Sequence, residues 1–157
     1  MFRVIADVLA RLFKVRRRAS IPSEPPSFTV IEEYRGRDTL DVYELEPGYA
    51  YGMIARNPIT GELRYEVIEP TLTGREKAMM ELVRSELLQV IDRTIDEIGG
   101  YGRAVEYLKG RVRGIFARRG VDPGSSLPKI EYYLVRDLLG YGRIDALMKD
   151  PGIEDIS

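Results

Sequence analysis

Apolar and charged side chains alternate with a helical period at the start of this chain. Apolar residues recur there at three- and four-residue spacing, and charged residues follow the same period on the opposite face. The apolar set is Phe2, Ile5, Leu9, Leu12 and Phe13, and the charged set is Arg3, Asp7, Arg11, Lys14 and Arg18. The pattern predicts a basic amphipathic helix over residues 1–19.

A proline-rich stretch and then a strand-like pattern follow. Residues 20–27 contain three prolines, which lack the N–H that a helix or sheet needs, so an extended linker is predicted. Phe28–Tyr34 and Leu40–Tyr43 are rich in β-branched and aromatic residues and predict two strands. Apolar side chains alternate over 49–55 and 63–67, and the turn residues of 57–61 between them predict a β-hairpin.

Three helices are predicted after the hairpin. Thr73 and Glu76 form a capping-box pattern that starts the first, and Gly99-Gly100 ends it. The second is expected over Arg103–Arg119 and is terminated by Gly120, and its two internal glycines would allow a close helix crossing. Asp122-Pro123-Gly124 predicts a turn, and Ser126 is the expected N-cap of the third helix, which runs to Gly140. The expected buried positions are Met80, Val83, Leu87, Val90, Ile91, Thr94 and Ile98, then Ala104, Leu108, Val112, Ile115 and Phe116, then Ile130, Tyr133, Leu134 and Leu138.

The predicted fold class is therefore α+β. It is mainly a helical bundle with a β-hairpin, preceded by the basic amphipathic helix on its proline-rich linker. The predicted domain organisation is the helix at 1–19, the linker at 20–27, one domain over 28–149, and the start of a following α/β segment at 150–157.

The amino-acid composition excludes several kinds of functional site. The 157 residues contain no Cys and no His, which excludes a disulfide framework, thiolate metal sites and a histidine general base. The net charge of -1 divides into +5 over residues 1–20, -6 over 21–70 and zero over 71–157. A chain so balanced is not expected to hold nucleic acid by bulk electrostatics. We expect no catalytic, cofactor-binding or metal-binding residue, and so no enzyme in this chain alone.

The C-terminal segment carries the most specific pattern. A helix ends at Gly140-Tyr141-Gly142, Arg143-Ile144-Asp145 follows, and after a short apolar turn comes Asp150-Pro151-Gly152-Ile153-Glu154-Asp155-Ile156. Over Ile130–Ser157 the chain resembles the segment that leads into the motor of the archaeal type II/IV secretion ATPases. A looser match continues upstream through Tyr65–Thr73. The family that the chain resembles includes the motor ATPases of the archaellum and of archaeal type IV pili.

The resemblance implies a hexameric parent that uses ATP and Mg²⁺ to drive a membrane platform protein or an accessory subunit. The chain contains no G-x-x-x-x-G-K-[ST] sequence, so the phosphate-binding loop is expected in a part of the parent that follows residue 157. The chain is then expected to be a non-catalytic N-terminal domain, truncated before the ATPase core. Its expected location is cytoplasmic, peripheral at the inner face of the cell membrane.

Two groups of residues are candidate contact sites. The basic helix is expected to touch a partner or anionic lipid, although its apolar stripe could instead pack on the chain's own core or on a neighbouring subunit. The residues of the second group, the interdomain turn, either support the backbone locally or reach another domain or subunit. The first group is Arg3, Arg11, Lys14, Arg16, Arg17 and Arg18, and the second is Gly140, Gly142, Arg143 and Asp145.

Three further patterns admit plainer interpretations. Ile144, Leu147 and Met148 are expected to form a small apolar core cluster. Asp150, Glu154 and Asp155 lack calcium-loop spacing and are assigned to a turn and a strand start in preference to a metal site. The arginines at 111, 113, 118 and 119 favour a helix face with ion pairs over nucleic-acid contacts. The competing function is a stand-alone helical adaptor that binds protein or nucleic acid.

Overall fold

The computed structural model describes residues 29, 36, 38–90 and 95–153. The predicted N-terminal helix, the linker and, apart from Thr29, the strand at Phe28–Tyr34 lie outside the described residues. The fold is α+β, as predicted. The chain divides into a sheet unit, which comprises the strands up to Pro70 and the segment from Ala146 onwards, and a helical unit over Thr71–Asp145. The single domain expected over 28–149 is therefore described as these two units.

The sheet unit is built on three antiparallel strands in the order β1 (Thr39–Glu46), β2 (Ala50–Arg56) and β3 (Leu63–Ile68). The predicted hairpin is confirmed as β2–β3, and β1 contains the predicted strand at Leu40–Tyr43. The central strand β2 is buried along its whole length except at Arg56, because it has neighbours on both edges and apolar contacts on both faces.

The two alternating series of the hairpin lie on opposite faces of the sheet. Tyr51, Met53 and Ala55 pack with Ile68 and Val42 on one face. The register pairs Tyr51 with Ile68 and Ile54 with Tyr65, so Tyr65 shares the other face with Gly52 and Ile54. The sheet consequently uses both of its faces for packing.

The helical unit contains α1 (Gly74–Val90), α2 (Ile95–Ile98), α3 (Tyr101–Arg119) and α4 (Leu127–Leu138), and α5 (Asp145–Met148) begins at its last residue. Single 3-10 turns at Gly124–Ser126 and Gly142–Ile144 precede α4 and α5. Residues 91–94, where the first helix was predicted to continue, lie outside the described residues. Gly120 ends α3 in the left-handed conformation with φ 63°, as expected of a helix-terminating glycine.

One apolar cluster joins α1, α3 and α4. All five positions predicted on α3 are buried, whereas on α1 Met79 is buried and Met80 is only partly buried. On α4 the buried tyrosine is Tyr132, and Tyr133 is only partly buried. The cluster comprises Met79, Val83, Leu87, Leu108, Val112, Ile115, Phe116, Ile130 and Leu134.

Ser126 does not cap α4 as predicted. It lies in the 3-10 turn in helical conformation and makes no side-chain capping hydrogen bond to the helix backbone. Its hydroxyl instead bonds the carboxylate of Glu76. Asp122 does form the predicted turn, since its Oδ1 accepts the N–H of Gly124 at 2.9 Å.

The glycines inside α3 do not allow a close helix crossing. Apart from the neighbouring backbone of α3 itself, no atom would lie within 4 Å of a Cβ atom built at Gly110 or Gly114. Both positions face solvent, so the main effect of the missing side chain is that glycine has a lower helix propensity than alanine.

Replacing Gly110 and Gly114 with Ala is expected to stabilise the helical unit by about 0.5–1 kcal/mol at each site, because Ala loses less backbone entropy in a helix. Urea unfolding followed by far-ultraviolet circular dichroism measures the gain. Gly120→Ala is the control, since the same change at a left-handed position should destabilise. A loss of stability in the double variant would contradict the prediction.

Among the described helices, none combines the length and the apolar character needed to cross a bilayer.

Candidate functional site

The four residues of the predicted interdomain turn are brought together at the end of α4. The N–H groups of Leu139 and Gly140 both donate to the carbonyl oxygen of Val135, which closes the last turn of the helix. Asp145 is buried, and its Oδ1 accepts the N–H of Tyr141 at 3.0 Å. Asp145 therefore supports the backbone of the turn, and it also lies in the first turn of α5, where a negative charge favours the helix.

The two glycines of this turn are required for different reasons. Gly142 has φ 62°, which an L side chain rarely adopts. Gly140 does not have a positive φ. A glycine is needed there because a side chain would not fit. A Cβ there would lie 2.8 Å from the carboxyl carbon of Asp145 and 2.9 Å from the carbonyl oxygen of Arg136. The prediction of a conformational role is thus confirmed for Gly142 and wrong for Gly140.

The apolar residues next to this turn are exposed. Tyr141 is 65% exposed, Ile144 is 43% exposed and Met148 is 50% exposed. The prediction of a small apolar core cluster is wrong for Ile144 and Met148, because the buried positions of the stretch are taken by Asp145 and Ala146. Arg143 is also exposed. The turn therefore presents apolar and basic side chains to solvent on a backbone that Asp145 holds.

The start of the helical unit is fixed by the predicted capping box. The Thr73 N–H donates to Glu76 Oε2 at 2.7 Å, and the Glu76 N–H donates to Thr73 Oγ1 at 3.2 Å. Lys129 Nζ lies 2.6 Å from Glu76 Oε1 and donates to the carbonyl oxygen of Thr71 at 3.2 Å. Burial alone would raise the pKa of Glu76, but the hydrogen bonds from Lys129, Thr73 and Ser126 outweigh it and lower the pKa to about 2.

The four arginines in the second half of α3 make side-chain contacts within the helical unit. Arg113 makes a bidentate contact with the buried carboxylate of Glu131, with Nε at 2.8 Å from Oε1 and Nη2 at 3.3 Å from Oε2. Arg118 and Arg119 both pair with Glu86. Arg111 stacks on the ring of Tyr107 and donates to its hydroxyl. The prediction of an ion-paired helix face is confirmed, although Arg111 pairs with an aromatic ring.

Asp150 is bound by two tyrosines in the sheet unit. Its Oδ2 accepts hydrogen bonds from the hydroxyls of Tyr43 at 2.6 Å and Tyr65 at 2.9 Å. Its Oδ1 accepts the N–H of Gly152 at 2.9 Å, as predicted for a turn residue. The sequence contained no signal for the tyrosine contacts, because 85 and 107 residues separate the partners along the chain.

The remaining predicted residues lie outside the part of the chain that the structure describes. Glu154, Asp155 and the predicted contact residues of the N-terminal helix lie outside the described residues. These contact residues are Arg3, Arg11, Lys14, Arg16, Arg17 and Arg18.

The described residues do not fit a nucleotide–magnesium site. Over residues 29, 36, 38–90 and 95–153, no group of three or more His, Cys, Asp or Glu side chains is placed to hold a metal ion. The glycine-rich start of α3 offers backbone donors, but Arg103 and Ala104 follow it where a phosphate-binding loop requires Lys and Ser or Thr. The absence of a cofactor from this chain stays a prediction.

Comparison with known proteins identifies a longer archaeal relative. An uncharacterized protein of Methanocaldococcus jannaschii is 34% identical to this chain over 129 residues. The match covers 80% of this chain and 50% of the relative, so the chain spans about half the length of the protein it matches. No protein-family model matches the chain.

Proposed function

We propose that this chain is the non-catalytic N-terminal domain of a hexameric secretion or filament-assembly ATPase. In that role it contributes to assembly and couples ATP-driven domain movement to a membrane platform protein or an accessory partner. The observation that carries the proposal is the resemblance of Ile130–Ser157 to the segment that precedes the motor in the archaeal type II/IV secretion ATPases.

Two structural features support a coupling role. In the turn at Gly140–Asp145, the buried Asp145 carboxylate accepts the Tyr141 N–H, and the missing side chain of Gly140 leaves room for that carboxylate. The turn also presents Tyr141, Arg143 and Ile144 to solvent, where another domain or subunit can contact them. The matched relative is about twice as long as the aligned region, which suits a module within a larger polypeptide.

The proposed parent supplies what this chain lacks. ATP and Mg²⁺ bind to the remainder of the polypeptide, and the hexamer forms largely through that remainder. The basic residues 1–20 contact the platform, an accessory subunit or anionic lipid at the cytoplasmic face of the membrane. Nucleic acid is not a favoured partner, because three of the five arginines on α3 pair with carboxylates.

The mass of the native polypeptide tests the proposal. An antibody raised against residues 28–157 should detect a band in source cells far above 17.9 kDa, and the immunoprecipitated protein should hydrolyse ATP. A band at 17.9 kDa would contradict the proposal. It would favour a stand-alone helical adaptor, for which the exposed side chains of Tyr141 and Ile144 are a suitable protein contact.

Replacing Arg16, Arg17 and Arg18 with Glu is expected to abolish co-sedimentation of the chain with anionic vesicles or with the platform's cytoplasmic loops. The substitution changes the charge of residues 1–20 from +5 to -1, which removes the attraction to an anionic surface. Sedimentation of the purified 157-residue chain with each target, at low and moderate salt, gives the measurement.

A charge-matched variant provides the control. Lys77, Arg103 and Arg143 are exposed in the helical unit, and replacing these three with Glu changes the net charge by the same amount. This variant should sediment like the parent chain. Unchanged binding of the Arg16, Arg17 and Arg18 variant to both targets would refute the contact role of the basic residues.

A further inference from the structure

Gly52 creates the space in which two tyrosine rings meet on one face of the sheet. The register places Tyr43 opposite Gly52 and Tyr65 opposite Ile54, two residues along the same face of β2. A Cβ at Gly52 would lie 2.9 Å from Cζ of Tyr43 and 2.9 Å from the hydroxyl oxygen of Tyr65. Because Gly52 has no positive φ, this glycine is needed for space and not for backbone conformation.

The two tyrosine hydroxyls converge on one carboxylate. Asp150 is only 3% exposed, and its two oxygens accept from Tyr43, Tyr65 and the N–H of Gly152. Burial, Tyr43 and Asp150 raise the pKa of Tyr65 well above its ordinary value of 10.0, so Tyr65 stays protonated and donates. Hydrogen bonds to a buried charge are stronger than those between neutral groups, and their loss leaves that charge unsatisfied.

The segment around Asp150 lies outside the two apolar clusters described above. We call Ala146–Ile153 the return segment, because there the chain rejoins the sheet unit after building the helical unit. None of its residues belongs to either apolar cluster of the described chain. Lys149 pairs with Glu46 at 2.6 Å, but both side chains are about one-third exposed, and such pairs contribute little.

We infer that Tyr43, Tyr65 and Asp150 form a releasable anchor that fixes the return segment to the sheet. Hydrogen bonds to Asp150 hold this anchor, and no residue of the return segment belongs to either apolar cluster, so the anchor can open without disrupting those clusters. While it is closed, the return segment is held to strands β1 and β3 through Tyr43 and Tyr65. When it opens, the return segment separates while the strands and the helical unit stay folded. The inference does not depend on the proposed function.

Hydrogen exchange in the full 157-residue chain tests the anchor. The N–H groups of Asp150, Gly152 and Ile153 are hydrogen-bonded in single turns of the return segment. Such turns are not stable once the segment leaves the sheet, so exchange of these amides reports its opening. Tyr43→Phe and Tyr65→Phe remove one hydroxyl each and keep the ring. We expect about ten-fold faster exchange of these three amides for each substitution, and a larger increase in the double variant.

Tyr51→Phe is the matched control, because Tyr51 lies on the opposite face of the sheet and its hydroxyl is 3.5 Å from Glu44 Oε1. It should leave exchange in the return segment unchanged. Unchanged exchange in the double Tyr43/Tyr65 variant would overturn the inference. If amide exchange rose equally in α1, α3 and the return segment, the inference would also be overturned, because the anchor would then open only when the whole chain unfolds.

Gly52→Ala tests the same anchor without removing a hydroxyl. The added methyl group must displace one or both tyrosine rings, so exchange of the Asp150, Gly152 and Ile153 amides should again rise about ten-fold. The amides of β2 should keep their protection, since Ala is compatible with a strand. Return-segment exchange that stays at the parent rate would contradict the steric link between Gly52 and the anchor.

Discussion

Replacing Gly140 with Ala is expected to lower the free energy of unfolding of the helical unit by roughly 2–3 kcal/mol. The new methyl group would collide with the Asp145 carboxylate and with the carbonyl oxygen of Arg136. Asp145 cannot retreat without losing its hydrogen bond to the Tyr141 N–H, and the carbonyl oxygen belongs to the last turns of α4. Urea unfolding followed by far-ultraviolet circular dichroism provides the measurement.

Two variants separate this steric effect from backbone conformation. Gly142→Ala introduces only the left-handed penalty, about 1 kcal/mol, because no atom lies within 4 Å of the added Cβ. In an Asp145→Ala background, Gly140→Ala should cost less than in the parent, since one of its two collisions is gone. If Gly140→Ala costs no more than Gly142→Ala, the steric explanation is wrong.

Replacing Glu76 with Ala is expected to destabilise the helical unit by about 2 kcal/mol. The substitution removes the acceptor for the Thr73 N–H and the partner of Lys129, whose side chain is only 18% exposed. The backbone donor and the ammonium group then lose a buried acceptor. Glu81→Ala is the control on the same helix: its side chain is 74% exposed, so a change within about 0.5 kcal/mol is expected.

The contribution of Glu76 should also depend on pH. Its pKa is lowered from 4.5 to about 2 in the folded chain, so the unfolded chain binds more protons between these values. Stability contributed by Glu76 is therefore complete above pH 4.5 and is lost as the pH falls towards 2. The difference in unfolding free energy between the parent and Glu76→Ala should shrink over that range. A difference that stays constant down to pH 2 would contradict the assigned pKa.

The two predictions concern the beginning and the end of the helical unit. At its start, Lys129 of α4 bonds both Thr71 and the capping carboxylate of Glu76. At its end, Asp145 supports the turn that follows the same helix. Helix α4 thus contributes contacts at the start of the helical unit, and the turn that follows α4 lies at the end of that unit.

The sequence alone determined the features that depend on neighbouring residues. Helical periodicity identified the buried positions of α3, the spacing of Thr73 and Glu76 identified the capping box, and Gly120 identified a helix end. Alternation with turn residues identified the β2–β3 hairpin. These features were predictable because the interactions that define them span at most a few residues.

Only the tertiary structure decided the features that depend on distant residues. The space that Gly140 leaves is required by Asp145, and the space that Gly52 leaves is required by tyrosines on two other strands. The burial of Asp150 follows from hydroxyl donors more than 80 residues earlier in the chain. Local patterns also placed Ile144 and Met148 in a core, although both are exposed. Side-chain type and local spacing do not determine which distant residues a side chain contacts, so burial at these positions is set by tertiary packing.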